Sequence, residues 1–246
     1  NMIEGQPWDP DSEVFYLFDE ITHDTSWGEH CHPNCDCGRF MEIGNSVFME
    51  YVKTASGFNK LPKQNVDFGG GLERIAAAKL DSPDVFKISV LWPIIEKLEK
   101  LSKKQYTENT ASMRVLADHL RGAMFLAVDG VKPSNKEQGY VMRRLMRRAI
   151  LNAFTLGVEQ NFVQEIAPVI AELYRDDFPE LLENEAEVIA ILVKEEKVFK
   201  QTLRKGLREF EKLTPDGLTG QEIFKLYDTY GFPVELSVEQ AQKRSV

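Results

Sequence analysis

The chain has 246 residues, 43% of them hydrophobic, which is enough for one large or two medium hydrophobic cores. Its 39 acidic residues outnumber 30 lysines and arginines, and the net charge of −9 argues against indiscriminate nucleic-acid binding while leaving room for a local basic surface. No stretch approaches the roughly 20 apolar residues of a membrane span, and the N-terminus carries no signal-peptide pattern, so no membrane contact is expected.

The first part of the chain, residues 1–90, is predicted to be β-rich. β-Branched and aromatic residues are concentrated in three segments, 12–18, 39–52 and 65–68. The polar stretch KTASGFNKLPKQ separates the last two segments and is expected to form a hairpin connection.

The remainder, residues 91–246, favours helices almost throughout and predicts an all-helical second domain, which makes the chain α+β. The pair Thr219 and Glu222 has the spacing of a capping box, and Gly231 is placed to end that helix. Segments predicted to be helical are residues 111–127, 139–154, 181–212, 219–230 and 237–246.

The stretch NVDFGGGLERIAAA, residues 65–78, passes from a strand-like run to a helix through three glycines. Three consecutive glycines indicate either unusual backbone dihedral angles or another group that approaches the backbone closely. It is neither a P-loop, which needs Lys-Ser/Thr after the last glycine, nor the G-x-G-x-x-G dinucleotide fingerprint.

Two charged residues in this stretch require partners. Asp67 is expected at the end of a buried strand, where a carboxylate needs a cation, and Arg74 opens a helix, where it needs an anionic or stacking partner. A ligand carrying an ammonium group and a nucleotide would satisfy both residues. A direct Asp67–Arg74 ion pair would satisfy them equally, and the residues alone leave both interpretations open.

A basic strip follows in the predicted helix at 139–154, preceded by Lys132 and Lys136. A solvated helix surface is the ordinary explanation, but a local strip in an acidic chain is also typical of a phosphate-backbone footprint. Ser134 and Glu137 have capping-box spacing, which predicts Asn135 in the first turn of that helix. The strip consists of Arg143, Arg144, Arg147 and Arg148.

The stretch HCHPNCDCGRF contains all three cysteines. An odd, clustered set is a poor disulfide framework and indicates a metal cluster in a reducing compartment, which predicts a cytoplasmic protein. Thiols and imidazoles suit tetrahedral zinc, with Pro33 and Asn34 in a turn around the ion. His30 is an alternative fourth ligand, His23 a more distant one, and three reduced loop thiols are the alternative to any metal. The expected ligands are Cys31, Cys35, Cys37 and His32.

VDFGGGLERIAAA resembles motif 3 of the class II aminoacyl-tRNA synthetases, in the form found in the alanyl-tRNA synthetases. Three further stretches resemble that family in the same order: FMEIGNSVFMEY, RVLADHLRGAMFLAVDGVKPSNKEQGYVMRRLMRRA and IFKLYDTYGFPVEL. Together they cover most of the chain. The resemblance implies the latter part of a class II antiparallel sheet, followed by a helical domain that recognises the tRNA acceptor stem.

An alanine–tRNA ligase is the activity that this resemblance implies. Such an enzyme uses ATP with Mg²⁺ to form alanyl-adenylate and transfers the alanyl group to the 3′ end of tRNA(Ala). Nothing in the chain resembles motif 1 or motif 2, expected upstream, or the editing domain, expected downstream. We therefore expect a piece of a longer enzyme that works with those parts. A non-catalytic acceptor-stem-binding module of the same family and a zinc-stapled helical protein are the alternatives.

The resemblance also implies roles for residues around motif 3. Asp67 and Arg74 are the implied catalytic residues: Asp67 binds the ammonium group of alanine, and Arg74, beside Gly71, stacks on adenine or contacts the ATP phosphates. Arg74 could instead be a surface arginine, Asn45 a strand-end cap and Val47 a core residue. The implied alanine pocket comprises Asn45, Val47, Asp67 and Gly69.

Asn135 and Asp228 are implied to recognise a G·U wobble pair in the acceptor stem. Such a pair exposes an unpaired guanine amino group in the accessible minor groove, and an Asp or Asn oxygen can accept its hydrogen bond. The arginine strip and Lys132 would contact phosphates. Asp228 could instead be an ordinary helix-end residue.

The chain departs from the family pattern at three places. Gly44 stands where tryptophan is common, and Gly70 where methionine is common. The stretch GQPWDPDSE lacks the cysteines that many members carry before the matching Ser-Glu.

Overall fold

A computed structural model describes residues 7–8, 10–158, 160–213 and 218–243. The chain folds as two compact units, residues 1–91 and 92–246. An antiparallel sheet in the first unit and helices in the second confirm the predicted α+β class. Among the helices in the described part of the chain, none has both the length and the apolar character needed to cross a bilayer.

A long central strand organises the sheet. This strand, β3 (Phe40–Thr54), pairs on one edge with β1 (Pro7–Trp8) and β2 (Asp11–Leu17), and on the other with β4 (Gly57–Gly70). All pairings are antiparallel. The predicted strands at 12–18 and 39–52 are therefore confirmed to within two residues.

The hairpin connection predicted for KTASGFNKLPKQ is confirmed, since β3 and β4 pair as an antiparallel hairpin whose turn lies in that stretch, but most of the stretch is strand and not loop. Only Ala55 and Ser56 separate β3 from β4, and Gly57 adopts φ 123° at the turn. The polar residues of β4 are exposed, and their pairing depends on backbone hydrogen bonds rather than on apolar side chains. A register shift opposite Glu50 accommodates Pro62, which has no N–H to donate.

The core of the first unit lies around α1 (Leu72–Lys79) and the 3₁₀ turn Val85–Lys87. Its buried apolar side chains include Phe18, Ala77, Ala78, Ile88 and Leu91. Residues 5, 6 and 9 of GQPWDPDSE lie outside the described residues.

The second unit consists of helices packed around a continuous apolar core. Buried residues of α3 recur every three or four positions at Met113, Leu116, Leu120 and Met124, as the periodicity predicts. The segment predicted at 181–212 is divided at Asn184, and the last predicted helix begins earlier than residue 237, while its residues 244–246 lie outside the described part. The helices are α2 (Trp92–Ser102), α3 (Thr110–Val128), α4 (Glu137–Thr155), α5 (Val163–Leu173), α6 (Glu180–Glu183), α7 (Glu185–Leu213), α8 (Gly220–Tyr230) and α9 (Val234–Lys243).

The predicted start and stop of α8 are confirmed. The Glu222 amide donates to Thr219 Oγ1 at 3.3 Å and the Thr219 amide donates to Glu222 Oε2 at 2.9 Å, which completes the capping box. Gly231 ends the helix with φ 66°, and the amides of Gly231 and Phe232 donate to the carbonyls of Tyr227 and Leu226.

Gly206 of α7 determines where the end of α8 packs. Phe232 is fully buried, and a Cβ on Gly206 would lie 2.3 Å from its ring. A glycine in a helix interior costs roughly 0.5–1 kcal/mol relative to alanine. The close contact with Phe232 explains why a glycine occupies this position.

The capping box predicted at Ser134 and Glu137 is not formed. Ser134 Oγ accepts from the Lys136 amide at 3.2 Å, the Ser134 amide donates to the Gly139 carbonyl at 3.0 Å, and Glu137 has φ 49°. A Cβ on Gly139 would lie 2.3 Å from Ser134 Oγ, so this tight turn requires a glycine there. Asn135 consequently lies in the turn before α4 and not in the first turn of the helix.

Candidate functional site

The residues expected to form the alanine pocket lie together on one face of the sheet. In the β3–β4 ladder Asn45 is opposite Gly69 and Val47 is opposite Asp67. Opposite residues of antiparallel strands share a face, and so do residues two apart on one strand. The register of this single ladder therefore assembles the four residues, which we call the sheet block.

Asp67 is exposed in the sheet block, which corrects the prediction of a buried strand end. Among the described residues, none forms a hydrogen bond or ion pair with its carboxylate. Asn45 Oδ1 lies 3.0 Å from the position that a Cβ on Gly69 would take, so the Asn45 amide covers that glycine. An exposed carboxylate on the same face of the sheet as an amide oxygen is a suitable receptor for a small ligand with an ammonium group.

Close packing explains the three consecutive glycines. All three lie in the described part of the chain, and none of them has a positive φ. A Cβ on Gly70 would lie 3.2 Å from the Phe68 ring, and a Cβ on Gly44, opposite Gly70 in β3, would lie 3.0 Å from the same ring. Two positions at which the chain departs from the family pattern therefore pack against one aromatic ring.

Arg74 is held by Glu42 and not by Asp67. Its Nη1 lies 3.2 Å from Glu42 Oε2 and also donates to the Glu42 carbonyl at 3.2 Å. A Cβ on Gly71 would lie 3.1 Å from Arg74 Cδ, so Gly71 leaves space for the arginine stem, while its own amide donates to Ile43. Because 51% of the Arg74 side chain is exposed, its guanidinium remains accessible to an anionic or planar ligand.

The loop between β2 and β3 brings together four potential metal ligands, whose nitrogen and sulfur atoms all lie within 4.8 Å of one another. All the cysteines are free thiols, and Cys35 is buried. The Cys35 amide donates to the His32 carbonyl at 2.9 Å, which confirms the turn predicted at Pro33 and Asn34. The four residues, which we call the thiol cluster, are His23, Cys31, Cys35 and Cys37.

The expected fourth ligand, His32, is not in the thiol cluster, and neither is the alternative His30. His32 and His30 were expected as ligands because they lie next to the cysteines in the sequence. The 3₁₀ turn Thr25–Trp27, capped by the Asp24 side chain, reverses the chain and brings His23 back to the cysteines. The more distant alternative is therefore the one that the fold selects.

A backbone contact determines the tautomer of His23. Its Nε2 lies 2.8 Å from the Gly28 carbonyl, which can only accept, so Nε2 carries a proton and Nδ1 faces Cys35 Sγ at 3.8 Å. A hydrogen bond between His23 and Cys37 lowers the pKa of the Cys37 thiol to about 6 and raises the pKa of His23. The contact with His23 therefore favours the thiolate form of Cys37, which is the form that binds a metal ion.

The thiol cluster fits a tetrahedral ion of the size of zinc. Zn–S bonds of about 2.3 Å at tetrahedral angles place two sulfurs about 3.8 Å apart. The Cys31 and Cys37 sulfurs are 3.8 Å apart. Three sulfurs and one imidazole nitrogen form a complete, soft ligand set of the kind found in structural zinc sites.

In the second unit, six of the seven expected RNA-binding residues converge on one cleft of about 840 Å³ between α4, α7, α8 and α9. Asn135 enters from the turn before α4, and Asp228 from the last turn of α8. All four residues of the arginine strip line this cleft. Lys132 lies outside it and lines two neighbouring cavities.

The arginine strip divides into two pairs. Arg143 and Arg147 face α7, where their Nε atoms lie 3.5 Å and 3.3 Å from Glu195 Oε1. Arg144 is exposed and Arg148 half-buried, and no acidic side chain in the described ranges pairs with either. Arg144 and Arg148 are therefore free to bind an external anion.

Sequence reasoning missed Glu42, Glu195 and Gly206. Glu195 lies between Leu192 and Phe199 on the apolar side of α7, where a carboxylate is unusual and signals a buried partner. Gly206 lies on the same side, where a glycine signals close packing. For Glu42 the local pattern contains no comparable signal.

The chain is similar to known proteins along its whole length. A family model described as "tRNA synthetases class II (A)" matches residues 1–246. Alanine–tRNA ligases of Shouchella clausii, Pediococcus pentosaceus and Dehalococcoides mccartyi (strain ATCC BAA-2266) are 36%, 37% and 39% identical to the chain over 252, 266 and 252 residues. These matches cover 96%, 99% and 99% of the chain and 29%, 30% and 29% of the relatives.

The chain thus spans about three tenths of the length of the curated relatives it matches. The resemblance to the alanyl form of the family, seen in four ordered stretches, is confirmed by these relatives. Because the family match extends over all the residues, the chain belongs to the class II tRNA synthetase family (A).

Proposed function

We propose that the chain is part of an alanine–tRNA ligase, which activates alanine with ATP to alanyl-adenylate and transfers the alanyl group to the 3′ end of tRNA(Ala). The observation that carries this proposal is that residues distant in sequence converge into the sheet block and the cleft. The first unit would be the latter part of the catalytic domain, and the second unit the acceptor-stem-recognition domain, as predicted for residues 1–90 and 91–246.

Asp67 would bind the ammonium group of alanine, and Asn45, Val47 and Gly69 would limit the size of the side chain accepted. Its exposed, unpaired carboxylate supports this role. Adenylate formation requires mainly orientation and charge stabilisation from the protein.

Arg74 would contact the adenine ring or the phosphates of ATP, with Gly71 leaving space for its stem. Its accessible guanidinium supports this role, and Glu42 restricts its position. Bound Mg²⁺ would supply charge neutralisation on the phosphates, and we assign it no ligand in this chain.

The acceptor stem of tRNA would enter the cleft with its minor groove facing Asn135 and Asp228. Asp228 is exposed and would accept a hydrogen bond from the guanine amino group of a G·U pair. Arg144 and Arg148 would bind phosphates, and Lys132 would contact backbone outside the cleft.

The thiol cluster would hold one structural zinc ion through Cys31, Cys35, Cys37 and His23. The ion would tie the loop between β2 and β3 into one conformation. Reduced thiols and a role in translation both favour a cytoplasmic location. The upstream and downstream parts of a full synthetase would complete the enzyme.

Binding to an acceptor-stem hairpin of tRNA(Ala) tests the RNA-binding part of this proposal. We expect the chain to bind the hairpin with its G·U pair roughly tenfold more tightly than the same hairpin with G·C, as one specific contact allows. Equal affinities would contradict recognition of the wobble pair.

Alanine-dependent ATP–pyrophosphate exchange distinguishes the ligase from the non-catalytic module. The chain is assayed joined to the upstream part that carries motifs 1 and 2. Exchange that depends on alanine supports the ligase. Hairpin binding without any exchange would support the module instead.

A further inference from the structure

Glu195 is a nearly buried carboxylate, 7% exposed, on the side of α7 that faces α4. A carboxylate removed from water is strongly destabilising unless a cation compensates it. Its Oε1 lies 3.5 Å from Arg143 Nε and 3.3 Å from Arg147 Nε. Two of the four strip arginines are therefore held by the protein itself, and their charges are partly neutralised before any RNA binds.

The first of these arginines also controls Asn135. Arg143 Nη1 donates a hydrogen bond to Asn135 Oδ1. A guanidinium has only donors, so the amide oxygen of Asn135 must face Arg143 and the amide NH₂ group must face away. Among the described residues, none accepts a hydrogen bond from that NH₂ group. Asn135 lines the cleft, and its NH₂ group is thus available to donate a hydrogen bond to a ligand there.

The second arginine is restrained by an aromatic ring. The Arg147 guanidinium lies 4.8 Å from the centre of the Phe199 ring, one turn beyond Glu195 on α7. Stacking and ion pairing together leave this arginine little freedom. Arg144 and Arg148, on the other side of the strip, have no such ion pair or ring contact with any residue in the described ranges.

We propose that Glu195 is a positioning residue for RNA recognition: through Arg143 it makes Asn135 a donor to minor-groove acceptors of an RNA helix, such as a pyrimidine O2, a purine N3 or a 2′-hydroxyl. This inference rests on the proposed function. Asn135 then supplies a donor and Asp228 an acceptor, so the cleft recognises a pair of complementary groups. Selectivity depends on Glu195 and Arg143, whereas phosphate affinity depends on Arg144 and Arg148.

The test compares Glu195→Gln with wild type in the full chain of 246 residues. Affinities for hairpins with G·U and G·C are measured over a range of salt concentrations. We expect the preference for G·U to fall roughly tenfold. The dependence of binding on salt should steepen, because Arg143 and Arg147 become free to bind phosphates. Glu187→Gln is the matched control, since it removes the same charge from an exposed position of α7.

Arg143→Lys provides a second variant that keeps the charge but removes the planar fork needed to contact Glu195 and Asn135 together. We expect it to lose the preference for G·U with an unchanged salt dependence. The matched Arg208→Lys, at an exposed position of α7 that does not line the cleft, should keep the preference. The comparison of the two Arg→Lys variants tests the proposal even if Glu195→Gln fails to fold.

The outcomes separate the inference from the function on which it rests. A wild-type preference for G·U that persists in folded Glu195→Gln or in Arg143→Lys would overturn the positioning role and leave the proposed function intact. A wild type that binds both hairpins equally would overturn the proposed recognition and this inference with it.

Discussion

The sheet block and the cleft position their functional residues by different means. In the sheet block, backbone hydrogen bonds between β3 and β4 set the register, and Asp67 itself is exposed. In the cleft, side-chain packing is decisive: buried Glu195 holds two arginines, and Phe232 packs on Gly206 at the end of α8.

This difference teaches how function and stability are coupled in each unit. A side chain in a backbone-defined site can be changed without disturbing the ladder that places it. In a site defined by packing, a residue that never contacts the ligand can control recognition. Functional and structural effects should therefore separate in the first unit and coincide in the second.

The largest effect is expected for Asp67→Asn, assayed in the chain joined to a segment that carries motifs 1 and 2. Loss of the charged contact with the ammonium group should reduce alanine-dependent ATP–pyrophosphate exchange by roughly 1,000-fold, or about 4 kcal/mol. The free energy of unfolding should not change, because Asp67 has no partner among the described residues.

Asp19→Asn is the control for this change, since Asp19 is another exposed aspartate of the first unit. Its exchange rate should match wild type. Normal exchange in Asp67→Asn would exclude the ammonium-binding role. A large loss of stability in Asp67→Asn would contradict the difference between the two sites, because the conformation of the sheet block would then depend on its side chains.

Variants of the thiol cluster test whether strand pairing alone determines the conformation of the first unit. His23→Ala removes a proposed ligand and should weaken zinc binding by more than the about 10–100-fold typical of changes in supporting residues. His32→Ala should retain one zinc per chain, because His32 lies outside the cluster. Metal content by mass spectrometry and competition with a chelator measure both variants. The opposite pattern would restore His32 as the ligand.

Gly206→Ala examines packing in the second unit. The added methyl group would overlap the Phe232 ring, and such overpacking should destabilise the unit by roughly 1–3 kcal/mol. Hairpin binding should weaken as well, because Asp228 lies in the turn of α8 that precedes Phe232. Urea denaturation followed by circular dichroism gives the stability.

Gly122→Ala in α3 is the matched control, because its Cβ would lie at an ordinary 3.7 Å from Leu145. Helix propensity predicts that this change is neutral or stabilising by up to about 1 kcal/mol. Equal stabilities of the two variants would show that Phe232 does not require a glycine at position 206.

The smallest effect is expected for Thr219→Ala at the start of α8. Loss of the capping box should cost about 1 kcal/mol of unfolding free energy, and Thr219→Ser should retain most of it. Selectivity between the hairpins should not change, since Asp228 lies at the other end of the helix. A change in selectivity would mean that the whole of α8 moves when its first turn frays.

Local and periodic features were predictable from the sequence. The helical repeat of α3 and the capping box of α8 depend on residues a few positions apart, and both are confirmed. The hairpin between β3 and β4 was predicted, but the length of β4 was not, because its polar residues pair through their backbone. The Ser134 cap was predicted wrongly because Ser134 bonds to Lys136 in a tight turn.

By itself, the sequence determined the α+β class, the family and the order of the site residues, because periodicity, capping and ordered motifs are encoded in short stretches. Only the tertiary structure decided that His23 and not His32 lies beside the cysteines, that Arg74 pairs with Glu42, and that Glu195 divides the arginine strip. These choices depend on chain reversal and on distances between helices, which the spacing of residues along the chain does not specify.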